Sequence, residues 1–165
     1  MLSVVLVAAL IVPALPVPQT CMSSLPPNLD AGLFKGLALQ LLHRSPMFRA
    51  QCVRIGAAPR VRIRIAAGTP DERTARAKTR LERYEAGAIR ADIVIRFSEN
   101  YPEMLGHELE HVIELMDGLK FSAEHAAGRA WLSEAGSFET ARARAAGARV
   151  QQEFEASAPA VQPPR

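Results

Sequence analysis

Hydrophobic positions along the chain follow two periods, and the change between them predicts the elements. From Leu29 to His43 apolar residues recur at Leu33, Leu37 and Leu41, a helical spacing with Asp30 near its start. Ser45-Pro46 then opens a second short helix, Met47 to about Ile55, with Ser45 as N-cap and Pro46 at the first helical position. After Gly56 and Pro59 the period falls to two. Val61, Ile63 and Ile65 alternate with Arg60, Arg62 and Arg64; Ala75, Ala77, Thr79 and Leu81 alternate with Arg76, Lys78, Arg80 and Glu82. Beyond a turn at Glu85-Ala86-Gly87, Ile89, Ala91, Ile93, Ile95 and Phe97 alternate with Arg90, Asp92 and Arg96. These runs predict an antiparallel sheet of about three strands, one face on the core and an arginine-rich face outward. Leu105, Leu109, Val112 and Met116 restore the helical period. Asn100 with Glu103 has capping-box spacing, Pro102 suits the first turn, and Gly118 ends the pattern. Gly136-Ser137 reads as a turn and N-cap, and Phe138, Ala141, Ala145 and Val150 predict a C-terminal helix from about Phe138 to Phe154. Ser122–Leu132 fits either a short helix carrying Trp131 into the core or a loop. The fold class is therefore α+β.

The ends of the chain stand apart from this pattern. Leu2–Val12 is almost wholly apolar and is interrupted by Pro13, Pro16 and Pro18. It is shorter than the roughly 20 residues of a membrane span but matches the apolar region of a signal peptide. Residues 1–20 are expected to be a signal peptide, residues 21–155 one folded domain, and the proline-rich residues 156–165 a disordered tail. The mature protein is then exported, periplasmic or secreted, with no stable membrane span. That compartment permits a disulfide between Cys21 and Cys52, the two cysteines; spacing leaves the pairing open. The formal charge is +3, and arginine supplies nearly all of the 20 basic residues, lysine only Lys35, Lys78 and Lys120. The arginine face raises a second class of function, binding of an anionic polymer. Nucleic acid is not the expected partner, because export removes most such roles and two tyrosines and one tryptophan give few rings for bases to stack on. His43, alone at a helix junction, reads as a surface residue.

The chemistry concentrates in His107-Glu108-Leu109-Glu110-His111. On a helix, His107 and His111 lie four residues apart, one turn above the other on the same face. Two neutral imidazoles so placed can share one Zn²⁺. Glu108, beside the first histidine, can reach a metal-bound water without being a ligand and act as its general base. Glu110 is expected to face solvent.

This His-Glu-x-x-His helix resembles that of the zincin metallopeptidases, in which a sheet precedes the metal helix and an edge strand lines the cleft. The resemblance implies a small zincin fold and a zinc-dependent hydrolase acting on a peptide or protein substrate. Which strand forms the edge is not legible. A catalytic zinc normally has three protein ligands and an open position. Glu114, His125, Glu134 and Glu139 are the candidates for the third. Glu114 shares a face with both histidines, but one straight helix cannot wrap three ligands around an ion, so it suits a supporting role. His125 lacks the spacing of the metzincin continuation. A glutamate supplied by a following helix resembles the glutamate-type zincins, the gluzincins, and Phe138-Glu139-Thr140-Ala141-Arg142-Ala143 is similar to the second motif of small bacterial peptidase-like proteins of that kind. At Ala143 many gluzincins carry Asp. The expected ligand set is His107, His111 and Glu139, with Glu134 the competitor, and His125, Tyr101 or Tyr84 the conceivable oxyanion donors.

Overall fold

The computed structural model of the chain describes residues 23–70, 76–96, 100–133 and 136–157. The apolar segment before Cys21, Cys21 itself, Glu134 and the end of the tail lie outside them. Strands β1 (Leu29–Asp30), β2 (Val61–Ala67), β3 (Ala77–Arg83) and β4 (Ile89–Ile95) form one sheet in the order β1-β2-β4-β3. A hairpin of β5 (Ala130–Leu132) and β6 (Phe138–Thr140) stands apart. The helices are α1 (Lys35–Arg44), α2 (Pro46–Gly56), α3 (Tyr101–Met116), α4 (Phe121–Ala126) and α5 (Ala141–Ala156). The class is α+β, as the pattern predicts.

The sheet departs from the expectation in direction and size. β1 pairs with β2 and β2 with β4 in parallel; only β3 runs antiparallel, along β4. The chain leaves β2, crosses beyond β4, and returns as β3 on the outside. Burial explains the order. Val61, Ile63 and Ile65 of β2 and Ile89, Ala91, Ile93 and Ile95 of β4 are all buried, which suits central strands. β3, with Lys78, Arg80, Glu82 and Arg83, takes the edge, where charged side chains are tolerated. The helix expected from Leu29 is also corrected. Leu29 and Asp30 add a short strand to β2, a 3₁₀ turn covers Gly32–Phe34, and α1 starts at Lys35. Gly32 has φ +48°, and a Cβ there would sit 2.9 Å from the Ile65 carbonyl oxygen, so a side chain would block this entry.

The core lies between the inner sheet face and the helices. Phe34, Leu41, Leu42, Phe48 and Ile55 meet Leu105, Leu109, Val112 and Ile113 of α3 there. α2 is capped as the sequence suggests, Ser45 accepting from the Phe48 N–H at 3.0 Å, with Pro46 in the first turn. Glu153 of α5 reinforces that cap, accepting from Ser45 Oγ at 2.7 Å and the Met47 N–H at 2.8 Å. Asn100 and Glu103 do not form the expected capping box, since Asn100 makes no side-chain cap bond. Helices α3 and α5 approach closely through two glycines. A Cβ on Gly106 would meet Val150 at 2.6 Å, and one on Gly147 would meet the Glu103 carbonyl oxygen at 2.7 Å and His107 Cβ at 3.0 Å. Cys52 is buried in α2 with no disulfide partner among the described residues, and burial pushes its thiol pKa up to about 12. Among the described residues no helix is long and apolar enough to cross a membrane.

Candidate metal centre

The site is built where the buried α3 passes under the free edge of β3 and meets the β5–β6 hairpin. His107 and His111, one turn apart on α3, bring their Nε2 atoms to 3.1 Å. Glu139 reaches the same point, its Oε2 3.1 Å from His107 Nε2. One ligand atom from each of the three lies within 4.8 Å of the others. Four ligands arranged tetrahedrally at about 2.0–2.1 Å from a zinc ion stand about 3.3–3.4 Å apart. The two 3.1 Å spacings fall just inside that and the set as a whole spans at most 4.8 Å, so the donor set could hold a small cation after a modest readjustment of Glu139 and the two rings.

Glu139 arrives by a route different from the expected one. It lies on β6, opposite Trp131 of β5, and not in the first turn of a helix. Thr140 explains the difference: with φ −131° and ψ 153° it is extended, and its hydroxyl accepts from the Ala143 N–H at 3.0 Å. A β-branched hydroxyl residue is a good N-cap, so α5 begins at Ala141. Gly136, at φ +73°, makes the expected turn ahead of the strand. Ala143 is fully buried on α5.

Glu114 is bonded to one of the two helix histidines. Its Oε2 is 2.9 Å from His111 Nδ1, and its Oε1 accepts from the Thr140 hydroxyl at 2.6 Å. With a Glu114 oxygen as the acceptor, His111 Nδ1 would be the donor of this bond and Nε2 would present its lone pair to the site. Thr140 thereby joins three things, the start of α5, the end of the hairpin and the orientation of His111. The sequence offered a signal for it, a hydroxyl residue directly before an Ala/Arg helical run.

Glu110 contradicts the expectation of a solvent-facing residue. It is 3% exposed, accepting from Gln51 Nε2 at 2.8 Å and Arg142 Nε at 2.7 Å. Arg142 also pairs with Asp117 at 2.7 Å. The charge between the two histidines thus clamps α3 to α2 and α5.

Glu108 is 7% exposed and accepts from Thr79 Oγ1 of β3 at 2.5 Å. Burial raises its pKa, opposed by the charge of His107 and by the Thr79 bond. For His107 burial acts downward but is outweighed by Glu139 and Glu108, leaving its pKa raised. For Glu139 burial acts upward and is outweighed by His107, leaving its pKa lowered. Glu108, His111 and Glu139 line a cleft of about 800 Å³ bounded by β3 on one side and by Phe121 and Phe138 on the other. Those two rings stack 6.1 Å apart, and Phe121 meets the His111 ring edge-on at 5.7 Å.

None of the conceivable oxyanion donors lines this cleft. Tyr101 is stacked on Phe34 with its hydroxyl 3.5 Å from the Phe34 carbonyl oxygen. Tyr84 donates to Glu82, and His125 Nδ1 is 3.1 Å from the Ala130 carbonyl oxygen. His43 is exposed at the end of α1. The arginine face is not a uniform cationic patch: the register sets Asp92 between Arg64 and Arg80, and Glu82 opposite Arg90. Arg90 and Arg80 bond Asp92 and Glu82 at 2.9 and 3.0 Å. Compared with known proteins, the chain matches no family model, no curated protein and no solved structure.

Proposed function

We propose that the protein is a zinc-dependent metallopeptidase in which His107, His111 and Glu139 hold the ion and Glu108 is the general base. The observation that carries this reading is the convergence of His107 Nε2, His111 Nε2 and a Glu139 oxygen within 4.8 Å, with buried Glu108 lining the same cleft. Zinc so held would acidify a bound water and polarise a scissile carbonyl. Glu108 would take the water's proton and pass it to the leaving amine; its raised pKa brings a carboxylate nearer the range useful for both transfers. Glu114 keeps the His111 lone pair directed at the ion. The free edge of β3 lies along the cleft, and an extended peptide can add to such an edge by main-chain hydrogen bonds. Compensation of the arginine face by Asp92 and Glu82 disfavours the polyanion binder. The apolar run Leu2–Val12 supports export of the protein.

The test is zinc content and peptide hydrolysis in the same preparations. Wild type should hold close to one zinc, and His107→Ala and His111→Ala should lose it. Glu108→Gln should keep the zinc and hydrolyse a peptide library at least about a hundredfold more slowly, the scale of losing a general base. A zinc-loaded wild type that cleaves nothing overturns the peptidase and leaves a non-catalytic zinc protein. Unchanged zinc in both histidine variants overturns the site.

A further inference from the structure

Thr79 is the one polar residue that β3 turns toward the helices between Ala77 and Leu81, and its hydroxyl meets Glu108 Oε2 at 2.5 Å. The position of its backbone matters as much. In an antiparallel pair, residues alternate between those whose N–H and C=O both face the partner strand and those whose groups both face away. The Arg96 N–H bonds the Arg76 carbonyl at 2.9 Å and the Tyr84 N–H bonds the Ala88 carbonyl at 2.8 Å. Even-numbered residues of β3 therefore face β4. Thr79, opposite Ile93, belongs to the other set, so its own N–H and C=O point out of the sheet edge.

We infer that Thr79 is a positioning residue: its hydroxyl fixes the Glu108 carboxylate from the same backbone position at which an extended substrate would join the strand. This rests on Glu108 being the base. The bond to Oε2 leaves Oε1 for the water. Because the main-chain groups of Thr79 and its hydroxyl share one Cα, the distance between a seated peptide backbone and the base is set by a single residue. A base held only from its own helix would shift independently of the strand.

The experiment compares Thr79→Val, which keeps the shape and β-branching but removes the hydroxyl, with Thr79→Ser, which keeps the hydroxyl. In metal-free protein carrying carboxyl-labelled glutamate, the Glu108 carboxyl resonance, assigned by its loss in Glu108→Gln, should move in Thr79→Val and return in Thr79→Ser. In zinc-loaded protein, kcat should fall about tenfold in Thr79→Val with KM within about threefold, and Thr79→Ser should stay within about threefold of wild type; that is the scale of one hydrogen bond to a charged group. A Glu108 resonance unmoved in Thr79→Val overturns the inference, as does equal loss in both variants or a loss confined to KM. Should Thr79→Val fail to fold, Thr79→Ala takes its place under the same criteria. The resonance arm decides even if wild type cleaves nothing, an outcome that would overturn the peptidase and leave the Thr79–Glu108 bond standing as a fact.

Discussion

Replacing Glu114 by glutamine separates orientation of a ligand from the ligand itself. Glu114 is 1% exposed, and two donors converge on its two oxygens, His111 Nδ1–H at 2.9 Å and the Thr140 hydroxyl at 2.6 Å. Glutamine keeps the shape but offers one oxygen and one NH₂. If the oxygen stays with His111, the NH₂ must donate to Thr140, whose hydroxyl can turn to accept. If the amide is reversed, NH₂ faces Nδ1–H, and relief requires moving the imidazole proton to Nε2, the atom that faces the site. The first arrangement loses charge and the second loses the lone pair. Losing such a support typically weakens metal binding about 10–100-fold, or about 1.4–2.7 kcal/mol at about 1.36 kcal/mol per decade. Glu114→Gln should therefore still take up one zinc at saturation, with affinity lowered by that factor in competition against a chromophoric chelator. Glu114→Ala should also destabilise the fold in urea, since each of two buried donors left unpaired costs about 1–3 kcal/mol. Affinity within twofold of wild type in Glu114→Gln would refute the account of His111 orientation.

Gly147→Ala gains helix propensity of about 1 kcal/mol but drives a methyl to 2.7 Å from the Glu103 carbonyl oxygen and 3.0 Å from His107 Cβ, and overpacking of this kind costs about 1–3 kcal/mol. It should lower both urea stability and zinc affinity; a more stable variant with unchanged affinity would contradict the close-approach argument. Glu153, whose burial is outweighed by its bonds to Ser45, Met47 and Arg149, has a lowered pKa. A depressed folded pKa contributes stability that is present above the unfolded carboxylate value of about 4.3 and is lost as pH falls toward the folded value. Glu153→Gln should flatten the acid side of the stability–pH curve in that window, and an unchanged slope would show that the cap at Ser45 carries no charge dependence.

The elements that were legible in the sequence are those whose own residues repeat a period. α3, β2 and β4 each bury a continuous stripe, and His107, Glu108 and His111 share a helix, so local spacing sufficed. The parallel direction of β2 and β4 was not legible, because it follows from β3 taking the edge, a competition among whole strands. β1 is two residues long, too short for any period. Glu139 was expected beside the histidines and does lie there, yet on a different element: alanine-rich sequence favours helix, and only the Thr140 cap decides where it begins. Glu110 was misjudged because the partner that buries it, Gln51, lies 59 residues away in sequence.

The hairpin that presents Glu139 consists of two strands of three residues each, with Leu132 and Phe138 exposed. Pairs that short are marginal on their own. The histidines, in contrast, sit on a helix buried in the core. A cation joining His111 to Glu139 would close the intervening loop as a cross-link does, restricting the open forms of α4 and the hairpin more than those of the sheet. If the site takes an ion, its helical half would be held by the core beforehand while the hairpin half would gain its restraint from the ion, and the equilibrium affinity would include that restraint. Sequence changes far from any ligand, in residues 119–137, would then tune metal affinity through local folding alone.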